Sequence, residues 1–244
     1  MTVLTNKYID HTVIILDDYI YCGCQKFQVS DLDTFIDEYN PSADLINEGW
    51  AKYTGELTSF ETYQELSKHE NVDVRIAVAK HFNTPVEILE FLSRDNDCGV
   101  QIVVAKHPNM PSETLKLLST DDVVWVRGAV ASTPKTPIDI LWVLSVDDYC
   151  EVRASVARNP NTPNDLLKVL STDADAWVKV AVASNPNLPI DILTILSGDA
   201  HYEVREAIAR NPVTPKDVLN VLSMDAYSWV RASVSRNPNF CKVS

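Results

Sequence analysis

The 244-residue sequence predicts a mainly α-helical fold, a right-handed α-solenoid of 26-residue repeats behind a small α+β cap. Two observations support this prediction. A column of valines recurs every 26 residues, and all but one of the 13 prolines fall at two fixed turn positions of the repeat. A fixed period of this length is typical of stacked supersecondary units. The valine column consists of Val74, Val100, Val126, Val152, Val178, Val204 and Val230.

Each repeat is expected to hold one α-helix and one shorter α or 3₁₀ helix. In the repeat that starts at Val152, Asp147 precedes the helical pattern and is the expected N-cap. Val152 and Val156 are four residues apart and form one buried stripe. Pro160 ends this helix, because proline cannot continue the helical hydrogen bonds. Thr162 is then expected to cap the second helix, with a proline at its first position.

The segment before the repeats differs in kind. Residues 12–22 alternate and are rich in Val, Ile and Tyr, which predicts one β-hairpin with a turn at Asp17 and Asp18. Residues 30–39 and 43–52 read as two helices. The predicted domains are an acidic α+β cap at 1–55 and a repeat array at 56–244, with full repeats at 74–229 and partial repeats at both ends.

The consensus V-R-x-x-V-A-x-N-P-x-T-P-x-D-x-L-x-x-L-S-x-D resembles the leucine-rich repeat variant family over about 58–240. It is also similar to HEAT-type repeats, in which an Asp six residues before an Arg forms a ladder along the stack. The resemblance implies a helical superhelix and leaves the partner open. The implied pairs are Asp121 with Arg127, Asp147 with Arg153, Asp199 with Arg205 and Asp225 with Arg231, whereas Lys179 and Gln101 replace the Arg after Asp173 and Asp95.

The net charge of −13 is concentrated in the first third of the chain. Residues 1–73 hold four Lys, no Arg and fourteen acidic residues, a net charge of −10, which leaves −3 for residues 74–244. Such a surface repels phosphate backbones, so direct binding of nucleic acid is not expected. We expect instead a protein partner with a basic surface. The candidate contact residues in the cap are Asp17, Asp18, Asp31, Asp33, Asp37 and Glu38.

A row of tryptophans has a period of two repeats. Trp125, Trp177 and Trp229 share one column, in which the other repeats carry Gly99, Glu151 and Glu203. Each tryptophan directly precedes a core valine and therefore lies beside the buried stripe. Two interpretations remain open: the rings wedge between repeats, or they form hot spots for a partner.

No pattern in the sequence predicts a catalytic site, a bound metal or a cofactor, so the chain is not expected to be an enzyme. The five histidines are not clustered, and the pair Cys22 and Cys24 is too small for a four-cysteine cluster. A HEAT-like enzyme or a chromophore-handling protein of the bilin-lyase type stays open as an alternative. Five scattered cysteines and no long apolar run indicate a cytoplasmic protein without a membrane span.

The seventh repeat appears in the sequence as a first helix followed by Asn239 and Phe240, with no second helix. Because a solenoid repeat buries its apolar face only against a neighbour, we expect this end to be covered by a second copy or by a partner. The predicted function is therefore a protein–protein interaction module. A more specific form of it is an inhibitor or immunity-type protein that blocks a basic, nucleic-acid-binding partner with its acidic cap.

Overall fold

The structure is a computed structural model that describes residues 60–241 and five strands within residues 2–53. The chain divides into two compact units, residues 1–111 and residues 112–244. The side chains described are those of Phe60 and of residues 63–240.

The first unit contains an antiparallel five-stranded sheet with the strand order β4-β3-β2-β1-β5. Its strands are β1 Thr2–Asn6, β2 Thr12–Leu16, β3 Tyr19–Cys22, β4 Gln25–Gln28 and β5 Trp50–Tyr53.

The predicted hairpin is confirmed, because β2 and β3 pair from Val13↔Cys22 to Leu16↔Tyr19. The sheet also contains three strands that the sequence pattern did not predict. The helix predicted over 43–52 is wrong at its end, since residues 50–53 are a strand paired with β1. Backbone pairing with a neighbouring strand outweighs local helix propensity there. The helix predicted over 30–39 lies outside the described residues.

The described residues after the sheet are helical, and the predicted α-solenoid is confirmed. The longer helices are α2 Val72–Lys80, α4 Cys98–Ala105, α6 Val124–Ser132, α8 Cys150–Arg158, α10 Ala176–Ala183, α12 Tyr202–Arg210 and α14 Ser228–Arg236. The shorter ones are α1 Phe60–Leu66, α3 Val86–Leu92, α5 Ser112–Leu118, α7 Ile138–Leu144, α9 Asn164–Leu170, α11 Ile190–Leu196, α13 Lys216–Leu222 and α15 Pro238–Cys241. We call the longer helices first helices and the shorter ones up to α13 second helices.

The core follows the predicted columns. In the second unit, neighbouring first helices pack side by side from α6 to α14, and α2 packs against α4 in the first unit. Val152 and Val156 are fully buried, as are Leu166 and Leu167 of the following second helix. Each such side chain contributes about 1.5–3 kcal/mol by leaving water, so the repeating apolar columns hold each unit together.

Two of the predicted capping roles are different in the structure. Asp147 is not the N-cap: the helix begins later, Tyr149 is the N-cap residue, and the Asp147 carboxylate accepts from the Tyr149 N–H at 3.0 Å. Thr162 does not cap the second helix either, since Pro163 is at its N-cap position and makes no side-chain bond. The Thr162 hydroxyl instead donates to the carbonyl of Val156 at 2.5 Å. It therefore satisfies the end of the first helix and ties it to the turn.

A column of buried asparagines links successive turns and was not recognised in the sequence. The side-chain amide of Asn185 donates to the carbonyls of Ala157 and Asn159 in the preceding repeat, at 2.8 and 3.1 Å. Its oxygen accepts from the N–H of Asn187 at 2.8 Å. Asn185 has no exposed surface. The same arrangement recurs at Asn159, Asn211 and Asn237.

The aspartate and arginine columns form a ladder in a register that differs from the expected one. Nη1 of Arg127 donates to the backbone carbonyl of Asp121 at 2.8 Å, six residues earlier. Nε and Nη2 of the same guanidinium donate to the carboxylate of Asp147, twenty residues later, at 2.6 and 3.0 Å. Each carboxylate of such a pair is therefore bound by the arginine or lysine of the preceding first helix. The same cross-repeat pairs are Arg75–Asp95, Arg153–Asp173, Lys179–Asp199 and Arg205–Asp225.

The second unit ends on a helix that the sequence did not predict. Residues 238–241 form the single turn α15, which packs against α13 and α14. Val230 and Val234 of α14 are almost completely buried. Pro238 occupies the position of Pro186 and Pro212, which lie in the turn before a second helix. The single turn α15 therefore stands in place of that turn, and the described residues of the seventh repeat contain no counterpart of α11 and α13.

Candidate interaction surface

The three tryptophans of the predicted row are exposed and do not wedge between repeats. Trp125, Trp177 and Trp229 expose 62%, 56% and 67% of their surface. Each is the second residue of a first helix, in α6, α10 and α14. Glu151 and Glu203 occupy the same position in α8 and α12 and are also exposed. We call these five residues the first-helix row.

Trp177 is already in contact with a cation. The guanidinium of Arg158, at the end of α8, lies 5.3 Å from the centre of the Trp177 ring. The negative face of an indole ring attracts a positive charge at this distance. Partial burial lowers the pKa of Arg158 from its usual range, but arginine remains charged at any ordinary pH. This contact shows that the exposed Trp177 ring can bind a cation.

An open groove of about 270 Å³ lies between α10 and α12. Its wall includes Val180 and Ser184 from α10 and Glu203, Glu206 and Arg210 from α12. Glu206 is bound by Arg210, four residues later, and by the hydroxyl of Ser233. The charge of Glu206 is thus largely compensated, whereas the carboxylate of Glu203 lies exposed at the groove's edge.

Further aromatic rings lie at the starts of the first helices. Tyr149 and Tyr227 are about half exposed and hold the N-cap positions of α8 and α14. The ladder residues Arg127 and Arg205 each lie 5.6 Å from one of these rings. Tyr202 stacks on Tyr227 at 4.7 Å. The row of tryptophans is therefore bordered by tyrosines that the ladder holds in place.

A second exposed row follows the second helices and was missed in the sequence. It consists of Leu117, Val143, Val169, Ile195 and Val221, which are 45–64% exposed. An acidic residue lies four positions before each of them, one turn away on the same helix face, at Glu113, Asp139, Asp165, Asp191 and Asp217. The signal was an apolar column outside the buried leucine positions. We call these apolar residues the second-helix row.

The first-unit cavity, metal binding and membrane spanning were the other possibilities for a functional site. Within residues 60–241, a cavity of about 460 Å³ in the first unit is lined by Arg75 and Asp95, which bind each other in the ladder. The described residues contain no group of three or more His, Cys, Asp or Glu side chains placed to hold a metal ion. None of the described helices is long and apolar enough to cross a membrane.

The acidic candidates of the cap are not placed by the structure. Asp17, Asp18, Asp31, Asp33, Asp37 and Glu38 all lie outside the described residues.

Comparison with known proteins supports the repeat architecture predicted from the sequence. The family model of the leucine rich repeat variant matches residues 151–175, about the length of one repeat. A solved structure described as "a leucine-rich repeat variant with a novel repetitive protein structural motif" is 28% identical over 72% of this chain and 70% of its own, with a TM-score of 0.54.

An engineered protein of known crystal structure is 18% identical over 74% of this chain and 94% of its own, with a TM-score of 0.30, which is too low to bear on the fold. None of the curated proteins matches the sequence. The consensus columns, the stacked helices and the matched repeat agree, and the repeats of this chain are similar to those of the leucine-rich repeat variant family.

Proposed function

We propose that this protein is a protein-interaction module that binds its partner along the first-helix row. The observation that carries the proposal is the exposure of Trp125, Trp177 and Trp229 at one position of the stack. Tryptophan is enriched among the residues that dominate binding energy, since its large ring leaves water when a partner docks. Several large apolar side chains exposed in one row are typical of an interaction site.

The charge of the chain indicates what kind of partner fits. Glu151 and Glu203 alternate with the tryptophans, and residues 1–73, which include the cap, carry a net charge of −10. Opposite charges steer association and set the register of a complex. The proposed partner is accordingly a protein with a basic surface, met in the cytoplasm. If that surface normally binds nucleic acid, the protein acts as an inhibitor of the immunity type.

The row can be tested with one triple variant and one matched control. Trp125→Ser, Trp177→Ser and Trp229→Ser together remove the exposed rings. The control, Val143→Ser, Val169→Ser and Ile195→Ser, removes three exposed apolar groups from the second-helix row within the stretch that the tryptophans span. Because all six side chains are 50–67% exposed, both variants should melt close to the wild type.

The partner is first isolated with the wild type and then titrated, as a purified protein, by calorimetry. We expect the tryptophan variant to bind at least about a hundredfold more weakly, from the loss of two or more hot spots of about 2 kcal/mol each. The control should bind like the wild type. The opposite result, with the control weakened and the tryptophan variant intact, would move the interface to the second helices.

The role of the acidic cap has its own test. Asp31→Asn, Asp33→Asn, Asp37→Asn and Glu38→Gln neutralise four acids in the full-length chain. If the cap steers a basic partner, this variant should associate more slowly at low salt and lose most of the salt dependence of the wild type. Adding the wild-type protein should release nucleic acid from the partner. Unchanged association kinetics, or a partner that keeps its nucleic acid, would contradict the inhibitor role.

Two further possibilities from the sequence have direct tests. Self-association through the C-terminal end is supported by Met224 and Trp229, which are 81% and 67% exposed near that end. Light scattering at micromolar concentration would then give twice 27.3 kDa, and a mass of one chain would exclude it. A HEAT-like enzyme or chromophore carrier would reveal itself by visible absorbance or bound metal in the purified protein.

A further inference from the structure

We infer that the first-helix row holds a polyproline II segment of the partner, with proline over each tryptophan and lysine or arginine beside each glutamate. The inference rests on the proposed function and specifies its ligand. It predicts a contact residue at every third position, alternating between proline and a basic residue, so that the whole motif repeats every six residues. The argument depends on spacing, chemistry and the alternation of the row.

The spacing of the row fits this conformation. Packed helices lie about 8–10 Å apart, so successive row residues are separated by about that distance. A polyproline II chain rises about 3.1 Å per residue with three residues per turn, so positions i and i+3 share one face about 9.3 Å apart. A β-strand repeats its face at about 6.6 Å and would drift out of register within two repeats.

The chemistry of each position matches one class of side chain. Proline rings stack well on exposed aromatic side chains, and grooves lined with aromatics bind polyproline II segments in other protein families. The carboxylates of Glu151 and Glu203 are exposed and would pair with a cation. The cations at the ends of the same two helices already have partners: Arg158 lies on Trp177, and Arg210 binds Glu206.

A helical ligand fits the row less well. An α-helix repeats its face every seven residues, at about 10.5 Å, but it presents a continuous apolar stripe to its partner. Such a stripe would cover Glu151 and Glu203 without a counter-charge, and burying an unpaired carboxylate is costly. The alternation of aromatic and acidic residues therefore favours a ligand that alternates as well.

The row position varies along the chain in a different way from the buried positions. The buried positions have the same residue types in successive repeats, for example Val152, Val178 and Val204. The row position instead alternates between tryptophan and glutamate over five consecutive repeats of the second unit. Part of this two-repeat period follows a contact within the chain, because Arg158 lies on Trp177, whereas Ser132 and Ser184 occupy the equivalent positions before Glu151 and Glu203. Both residue types of the row are exposed, so the column still presents alternating aromatic and acidic contacts to a ligand.

The test uses a fluorescent thirteen-residue peptide with proline at positions 1, 7 and 13, lysine at 4 and 10, and alanine or proline elsewhere. Its binding to the full-length protein is measured by anisotropy. A second peptide has the two lysines moved by one position, which turns them about 120° away from the row. A third is helical, with lysines fourteen residues apart, which corresponds to two positions of the row. We expect the first peptide to bind at least about tenfold more tightly than the other two.

Variants of the protein then assign the contacts. Trp177→Ala should weaken the first peptide by about tenfold or more, and Glu203→Gln by about threefold to tenfold. The Glu203→Gln effect should vanish when both lysines are replaced by glutamine. Val169→Ser, in the second-helix row, should change nothing. A Glu203→Gln effect that persists without lysine would overturn the assigned pairing.

The inference fails if the three peptides bind equally, if the helical peptide binds best, or if none binds. The proposed function has a separate outcome, because it depends on the purified partner and the three tryptophans. A partner lost with the tryptophan variant, together with peptides that do not discriminate, would keep the interface and reject the polyproline II ligand.

Discussion

Replacing Arg153 by alanine tests the cross-repeat ladder most directly. The guanidinium donates from Nε and Nη2 to the carboxylate of Asp173 at 2.7 and 3.0 Å. Its Nη1 donates to the carbonyls of Asp147 and Asp148 at 2.8 and 3.2 Å. Only 18% of the Arg153 side chain and 10% of the Asp173 side chain are exposed. The pair therefore joins two repeats from a position largely shielded from water.

The expected cost follows from these contacts. Arg153→Ala leaves the Asp173 carboxylate mostly desolvated without its cation, which costs about 3–5 kcal/mol at fully buried sites and at most about 1 kcal/mol at exposed ones. At this intermediate burial we expect a loss of about 2–3 kcal/mol. For a chain of this size the melting temperature should fall by about 5–10 °C. Urea unfolding gives the free energy, and the cycle with Asp173→Asn isolates the pair at about 1–2 kcal/mol.

Arg231 supplies the matched control. Its Nη1 donates to the carbonyls of Asp225 and Ala226 at 2.6 and 2.9 Å, the same two contacts that Arg153 makes in its own repeat. Among the described residues, Arg231 makes no contact with a carboxylate of a following repeat. Arg231→Ala should therefore cost clearly less than Arg153→Ala. Equal costs for the two variants would show that the backbone contacts, and not the cross-repeat pair, carry the effect.

Two further perturbations probe the stack. Asn185→Ala removes a fully buried amide and takes away the bonds it makes to the Ala157 carbonyl and the Asn187 N–H, while the Asn159 carbonyl keeps the N–H of Thr162. Urea unfolding should show a loss of about 2–4 kcal/mol, against about 0.5–1 kcal/mol for the exposed Asn161→Ala. Acid should also weaken the stack, because the hydrogen bonds from Arg205 hold the pKa of Asp225 below its usual range. The stability that this pair contributes is complete above the unfolded pKa of about 3.9 and is lost as pH falls through the folded pKa. Melting temperatures between pH 6 and 2 should decline mainly below about pH 4, and Arg205→Ala should reduce that decline; an unchanged slope would contradict the linkage.

The sequence revealed the helices and the core because both depend on residues close together in one repeat. It could not settle the register of the ladder. In a chain with a period of 26, an aspartate six residues before an arginine is always accompanied by one twenty residues after it. Asp121 and Asp147 were therefore equally possible partners for Arg127. Only the three-dimensional stack shows that the carboxylate of Asp147 is the one bound.

The asparagine column escaped prediction for a related reason. Asn159 lies beside Pro160, and the proline alone explains why the helix stops there. The donors of its amide reach carbonyls 26 and 28 residues earlier, which no local pattern reveals. Strand β5 was missed because its partner β1 lies more than forty residues earlier in the chain. Each of these errors concerns a contact between segments that are distant in sequence.

The buried contacts that join successive repeats do not involve the first-helix row. The stack is joined by buried valines, by the asparagine amides and by the arginine–aspartate pairs, and none of them uses the row position. Replacing Trp177, with 56% of its surface exposed, removes no buried contact of this kind. The contact between Trp177 and Arg158 also joins neighbouring repeats, but it lies on the surface and not in the core. The exposed alternation of tryptophan and glutamate is therefore the feature on which the proposed ligand rests.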